Sequence, residues 1–247
     1  MITGEMVLLG GVALAAAHWG APLVSRLLSV QRLDRRCKRF RAIVLTFDDG
    51  PSRELTPAIL DLLSRYEAKA TFFVLGSHVP GNECILDRIA QDGHEIGCHG
   101  QWHHNAWKSL PWTGLRDIEA GLGSLSRWIK KDAMFRPPHG KLTLVTWLAL
   151  AARGMPIAWW TVDSGDTHLA LPDPRTVSNR IASDSGGVVL LHDFDRSPER
   201  MEYVLAVTEI ILQTAVRQGL KIIRLGDLST EGMRSTPHAP SGSIRRS

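Results

Sequence analysis

Cysteine is scarce in this chain: Cys37, Cys84 and Cys98 are the only three among 247 residues, and no two of them form a CxxC pair. An odd, scattered count excludes a disulfide framework and a thiolate zinc site. Cys98, beside His99, reads as a small buried strand residue, the common place of a free thiol. Charge of either sign is missing from residues 6–25, and the only charge before them is Glu5, so the basic leader of a cleaved signal peptide is lacking. At ~1.5 Å per residue this apolar run is about the minimum that spans a bilayer core, which makes it a candidate N-terminal membrane anchor. Seven Lys/Arg against Asp34 alone follow between Arg26 and Arg41, leaving the rest of a chain of net charge +4 slightly acidic. Aromatics are not spaced through that run, Phe40 standing alone near its end, which argues against a nucleic-acid surface. Taken literally, the positive-inside bias puts the domain that follows in the cytoplasm. No repeat of 20–50 residues is visible.

What is present from Ala42 onward is an alternation of short apolar runs with amphipathic stretches, the pattern of βα units. Strands are expected at Ile43–Phe47, Ala70–Val74, Glu95–Cys98, Met134–Arg136, Ile157–Val162, Val188–Leu191 and around Ile222–Ile223. Between them lie helices, the first with Thr56 as N-cap and Pro57 in its first turn. Seven strands exceed the need of a five-stranded doubly wound sheet. They predict an α/β fold, a (β/α) barrel of about seven parallel strands, complete or incomplete. The expected organisation is an apolar segment and basic linker over 1–41, a barrel domain over 42–228 and a disordered tail over 229–247, whose composition lacks periodicity.

In such a barrel the active site gathers at the C-terminal strand ends. Asp48 and Asp49 follow the first strand, His99 the third, Arg136 the fourth, Asp163 and Asp166 the fifth and His192 the sixth. His99 and His103 can share one metal if their loop coils, and a carboxylate completes a three-ligand set with room for water, a catalytic pattern. A second carboxylate can accept a proton from water, an arginine can pair with it, and His192 can protonate a leaving group if an acid orients it. Adjacent strand residues point opposite ways, so Asp48 and Asp49 can divide these tasks only where strand gives way to loop. Singly, each feature has a bland alternative: a turn, a surface histidine pair, a loop ion pair. Their gathering at the strand ends of one barrel is what argues for an enzyme. His94 reads as a packed structural histidine and His104 as a loop neighbour. One of Trp159 and Trp160 should face the core, and Trp102, Trp107 and Trp112 form either a loop mini-core or a sugar-stacking wall.

These residues resemble the polysaccharide deacetylases of carbohydrate esterase family 4, the NodB homology domain, over about residues 42–227. Thr46-Phe47-Asp48-Asp49-Gly50-Pro51-Ser52 matches the first family motif throughout. Gly93-His94-Glu95-Ile96-Gly97 with His99 and His103 is similar to the second, Arg136-Pro137-Pro138-His139-Gly140 to the third, Asp163-Ser164-Gly165-Asp166 to the fourth and Leu190-Leu191-His192-Asp193 to the fifth. The resemblance implies Asp48 as general base and Asp49, His99 and His103 as ligands of a divalent metal, zinc before cobalt or nickel. It further implies Arg136 paired with Asp48, Asp166 orienting the general acid His192, the His139 N–H at the oxyanion and Leu190 against the acetyl methyl. The fold it implies is a distorted (β/α) barrel, and the expected activity is removal of acetyl groups from N-acetylated sugars of a polysaccharide, oligosaccharide or lipid-linked glycan. Two positions depart from the family: Gly100 lacks the usual hydroxyl that ties the metal-histidine loop, and Thr167 stands in place of a tryptophan. They leave room for a lapsed, carbohydrate-binding relative. A phosphohydrolase with Asp48 as nucleophile would leave the histidine pair and Arg136 unexplained.

Overall fold

The computed structural model describes residues 4–228, with side chains from His18 onward. Six parallel strands alternate with helices. In chain order these are α1 (Gly4–Phe40), β1 (Ala42–Asp48), α2 (Leu55–Arg65), β2 (Thr71–Val74), α3 (Glu83–Gln91), β3 (Glu95–Cys98), α4 (Pro111–Leu125), α5 (Leu144–Ala152), β4 (Val162–Asp163), α6 (Pro174–Asp184), β5 (Gly187–His192), α7 (Pro198–Gln218) and β6 (Lys221–Ile222). The sheet runs β3-β2-β1-β5-β4, and β6 pairs with the start of β1.

The expected strand at Met134–Arg136 is reduced to a single bridging residue, Phe135, which pairs with Cys98 on one side and Ile157 on the other. Pro137 and Pro138 cannot donate ladder hydrogen bonds, so the strand stops there. The expected strand Ile157–Val162 is a bridge at Ile157 and then β4, whose Val162 pairs with Val189. Backbone pairing therefore runs in a closed circuit: β1, β2, β3, Phe135, the 157–163 segment, β5 and back to β1. This is a distorted barrel with two thin staves.

Alternation along β1 sorts its side chains. Ile43, Leu45 and Phe47 join the large core cluster with α2 and α7, while Ala42 and Val44 join a second cluster with Phe73 and Val188 inside the barrel. Strand period two puts Thr46 and Asp48 on that inner side. In β5 the same parity carries Val188, Leu190 and His192 inward, and register sets Val44 beside Val188, Thr46 beside Leu190 and Asp48 beside His192. The bore thus passes from apolar to polar in layers, reaching its charged layer at the C-terminal strand ends.

Two N-terminal expectations change. Residues 26–40, read as a linker, are the later part of one helix, whose Cys37 enters the inner cluster with Leu33 and Phe40 beside it. Thr56 is not the N-cap of α2: the helix starts at Leu55, and Asp195 accepts the N–H groups of Arg53, Glu54 and Leu55 instead. Among the described residues no helix is long and apolar enough to cross a membrane. Most of the 6–25 run and the whole expected tail lie outside the residues whose side chains are described.

Candidate active site

Asp48 ends β1 with its side chain in the bore, 3% exposed, and Arg136 meets it there with no exposed surface at all. The Arg136 guanidinium donates to Asp48 Oδ1 at 2.7 Å and to Thr46 Oγ1 at 2.7 Å, and a second nitrogen reaches the Trp159 carbonyl at 3.3 Å. Its carbon lies 4.1 Å from the centre of the Phe73 ring. Burial lowers the Arg136 pKa and the Asp48 charge works against that shift. A buried ion pair of this kind is costly to break from one side, about 3–5 kcal/mol, because the remaining charge stays in the interior.

Asp49 sits one residue on, with φ +71, outside the strand. That left-handed turn is what lets both carboxylates face the site rather than opposite sides of the sheet. His78 Nδ1 lies 2.8 Å from the Asp49 carbonyl and pins the turn. Asp49 Oδ1 is 3.4 Å from His99 Nε2 and 3.4 Å from His103 Nε2, and one ligand atom from each of the three residues falls within 4.8 Å of the others. His99 Nδ1 lies 2.8 Å from the Arg136 carbonyl, so that nitrogen carries the proton and Nε2 presents its lone pair. Asp49 Oδ1 is buried with no hydrogen-bond partner. An orphaned carboxylate oxygen between two imidazole nitrogens suits a divalent cation, and the His2Asp donor set fits one. Burial pushes the His103 pKa down, favouring the neutral ligand form.

Across the bore, His192 Nδ1 stands 2.9 Å from Asp166 Oδ1, and the His192 N–H donates to Asp166 Oδ2 at 2.7 Å. Burial alone would lower the His192 pKa, but the Asp166 hydrogen bond and charge outweigh it and the net shift is upward. Burial likewise opposes Asp166, whose pKa is nonetheless lowered, chiefly by the His192 hydrogen bond. The fully buried Asp166 carries further support invisible in the motifs. Arg196 and Arg200 both donate to its carbonyl, at 3.0 and 2.7 Å. Arg196 also packs 3.7 Å from the Phe194 ring centre.

Asp193 is also buried. It receives the Thr56 hydroxyl at 2.7 and 2.8 Å and that of Ser52 at 3.1 Å, while its own N–H donates to the Asp48 carbonyl at 2.6 Å. Burial raises its pKa to about 7, against those hydrogen bonds. The loops after β1 and β5 are thereby locked together. Motif reading kept Asp193 only as the neighbour of His192; the signal for more was the Ser52–Thr56 spacing, which puts two hydroxyls on one side of a turn.

Gly100 has φ +88, and a Cβ there would overlap Asp117 Oδ2. Asp117 accepts the Trp102 N–H at 2.8 Å and lies 3.1 Å from His104 Nδ1. The histidine loop is therefore tied by a carboxylate from α4 that occupies the space a side chain at 100 would need. His139 is exposed, with φ +56, and its ring centre lies 4.4 Å from that of His103. A cavity of about 390 Å³ connects Asp48, Asp49, His99, His103, His139, Leu190 and His192, with Trp160 and Thr167 on its wall. Every residue singled out for the site lies on this cavity or, as with Arg136 and Asp166, bonds directly to one that does. A cleft of about 430 Å³ opens at the other end of the barrel near His94 and Arg224, and several of its polar groups are spent within the fold. Arg224 pairs with Asp227 at 2.7 Å, and Glu95 takes the Thr71 hydroxyl and the Gly226 N–H. His94 is structural as expected, accepting the Ala70 N–H, with burial lowering its pKa to about 4. Trp159 faces the core, whereas Trp102, Trp107 and Trp112 are exposed and form no mini-core.

Residues 35–158 match the polysaccharide deacetylase family, and the chain belongs to it. A peptidoglycan-N-acetylglucosamine deacetylase of Bacillus cereus is 32% identical over 190 residues, covering 76% of this chain and 88% of the relative. The peptidoglycan-N-acetylglucosamine deacetylase PgdA of Listeria monocytogenes is 30% identical over 203 residues, or 81% of this chain, which spans only 41% of that longer protein. A crystal structure of the Bc1960 peptidoglycan N-acetylglucosamine deacetylase, holding an N-hydroxybenzamide, superposes with a TM-score of 0.68 at 28% identity, over 76% of this chain and 87% of that one. The family match stops before Asp166, Leu190 and His192, so those three rest on the geometry of the site.

Proposed function

We propose that the chain hydrolyses the acetamide of N-acetylglucosamine units in a glycan, with peptidoglycan as the first candidate. One observation carries the reading. The base candidate Asp48 and the acid candidate His192 are register neighbours on β1 and β5, and the orphaned Asp49 oxygen with its two imidazoles stands beside them. The peptidoglycan deacetylase relatives supply the substrate class.

Asp49, His99 and His103 would hold a divalent cation, zinc first, with cobalt or nickel fitting the same donors. When bound, it supplies a Lewis acid that polarises the acyl carbonyl and acidifies water. The rest falls to the chain's own groups. Asp48, fixed by Arg136 and Thr46, takes the proton of the attacking water. The His139 backbone N–H, at the cavity rim, points donor character at the developing oxyanion. His192, whose pKa Asp166 raises, gives its proton to the departing sugar nitrogen, and Leu190 packs on the acetyl methyl. The lapsed, sugar-binding alternative loses its main support at Gly100, because Asp117 ties the loop there. Residues 6–25 are read as a membrane-anchoring segment, in keeping with the exposed Leu23 and Val24 within it and Leu27 and Leu28 on the next turn of α1.

The test is acetate release by the metal-loaded full chain from peptidoglycan fragments and from chitooligosaccharides. Release that ceases on chelation and falls about 10²–10⁴-fold in Asp48→Asn is the expected result. No release from either glycan would overturn the reading.

A further inference from the structure

The rim of the site is held by a residue far from it in sequence. His139 and Gly140 are consecutive residues in the left-handed region, φ +56 and +63. A non-glycine residue such as His139 keeps that conformation only where its surroundings over-determine it. The Gly140 carbonyl accepts from Arg26 at 2.9 Å, across 114 residues of sequence. The same guanidinium lies 4.8 Å from the ring centre of Trp160 and 5.1 Å from that of Trp159. Trp160 forms part of the cavity wall and Arg26 does not. A Cβ on Gly140 would meet both Trp160 and Arg26, so the three groups are in close packing. No carboxylate among the described residues pairs with Arg26; its bonding capacity goes to this carbonyl and two indole faces. The helix that carries it is docked along its later turns. Cys37 is buried in the inner cluster, Lys38 bridges to Asp184 at 3.7 Å and Arg41 donates to the Gln218 carbonyl at 2.7 Å.

We infer that Arg26 is a positioning residue for the deacetylation reaction, by which helix α1 clamps the 139–140 turn and Trp160 and so sets the direction of the His139 N–H. This rests on the oxyanion role proposed above for that N–H. It also gives α1 a part in the chemistry: the helix completes the rim of the site and is not only a tether.

Arg26→Lys and Arg26→Ala in the full, metal-loaded chain test it. A misaligned oxyanion donor acts on the transition state, so kcat falls about tenfold in both variants with KM within about twofold. Affinity for a phosphonate analogue of the tetrahedral centre falls by the same factor as kcat, and the ¹⁵N-resolved His139 amide signal shifts or broadens. Lysine retains the charge but not the planar stacking and fork, so rescue by Arg26→Lys to wild-type kcat contradicts the inference. So does an unmoved His139 amide with kcat unchanged, or a loss of kcat accounted for by partial unfolding on thermal melting. If the wild type releases no acetate, the functional reading fails separately. The His139 amide of folded Arg26→Lys and Arg26→Ala still decides whether Arg26 sets that turn.

Discussion

Burial drives the proton off a histidine and a facing carboxylate holds it on; at His192 both act, and Asp166 wins. The raised pKa has a sign that can be checked. Activity that needs protonated His192 declines on the alkaline side, as pH rises through a value above the ordinary ~6.5 of histidine. Asp166→Asn removes the charge that raises it, so the alkaline limb of kcat/KM moves to lower pH; a limb that stays in place contradicts the assignment of His192 as acid. The same pair bounds stability. The Asp166 contribution is lost as pH falls through its lowered folded pKa, and that of His192 as pH rises through its raised one. At this scale the motifs were legible because chemistry restricts residue type: bases, ligands and the acid had to be Asp and His at strand ends. Their supports were not. Arg196, Arg200 and Asp193 act through carbonyls, N–H groups and hydroxyls that many residues could supply, and Arg26 sits in a stretch read only as a basic linker.

Among the elements, strands β1, β2, β3 and β5 could be read from their apolar runs because both faces are buried, one by helices and one inside the bore. The strands expected at Met134–Arg136 and Ile157–Val162 are thinner in the structure. Phe135 is apolar and paired, but the prolines that follow leave no donors for a ladder, and pairing there shrinks to bridges. The histidine loop shows the opposite error, since Gly100 read as a loss of order. Its φ of +88 and the Asp117 carboxylate in its side-chain space make it a requirement. Gly100→Ala should therefore cost about 1–3 kcal/mol in unfolding measurements, with weakened metal binding. Combined with Asp117→Ala, which clears the overlap, the loss should be smaller than the sum of the single losses. Strict additivity would show that the carboxylate does not set the loop.

For the whole molecule, the barrel brings residues from Asp48 to His192 into one cavity, and the N-terminal helix adds Arg26 to its rim. The fold class followed from counting βα units, and the closed circuit of pairing agrees with it. Helix α1 was read only as an apolar run and a basic linker, although Val30, Leu33, Cys37 and Phe40, which pack on the core, recur at helical spacing between the basic residues. The proposed chemistry depends above all on neighbouring carboxylates holding different offices, Asp48 in the ion pair with Arg136 and Asp49 between the imidazoles. The direct measurement is metal stoichiometry and acetate release on the same samples of Asp48→Asn and Asp49→Asn, each checked for folding. The prediction is that Asp48→Asn binds one equivalent of zinc and turns over at least 10²-fold more slowly, whereas Asp49→Asn loses zinc affinity and its activity with it. Wild-type turnover in Asp48→Asn, or wild-type zinc affinity in Asp49→Asn, would contradict that division.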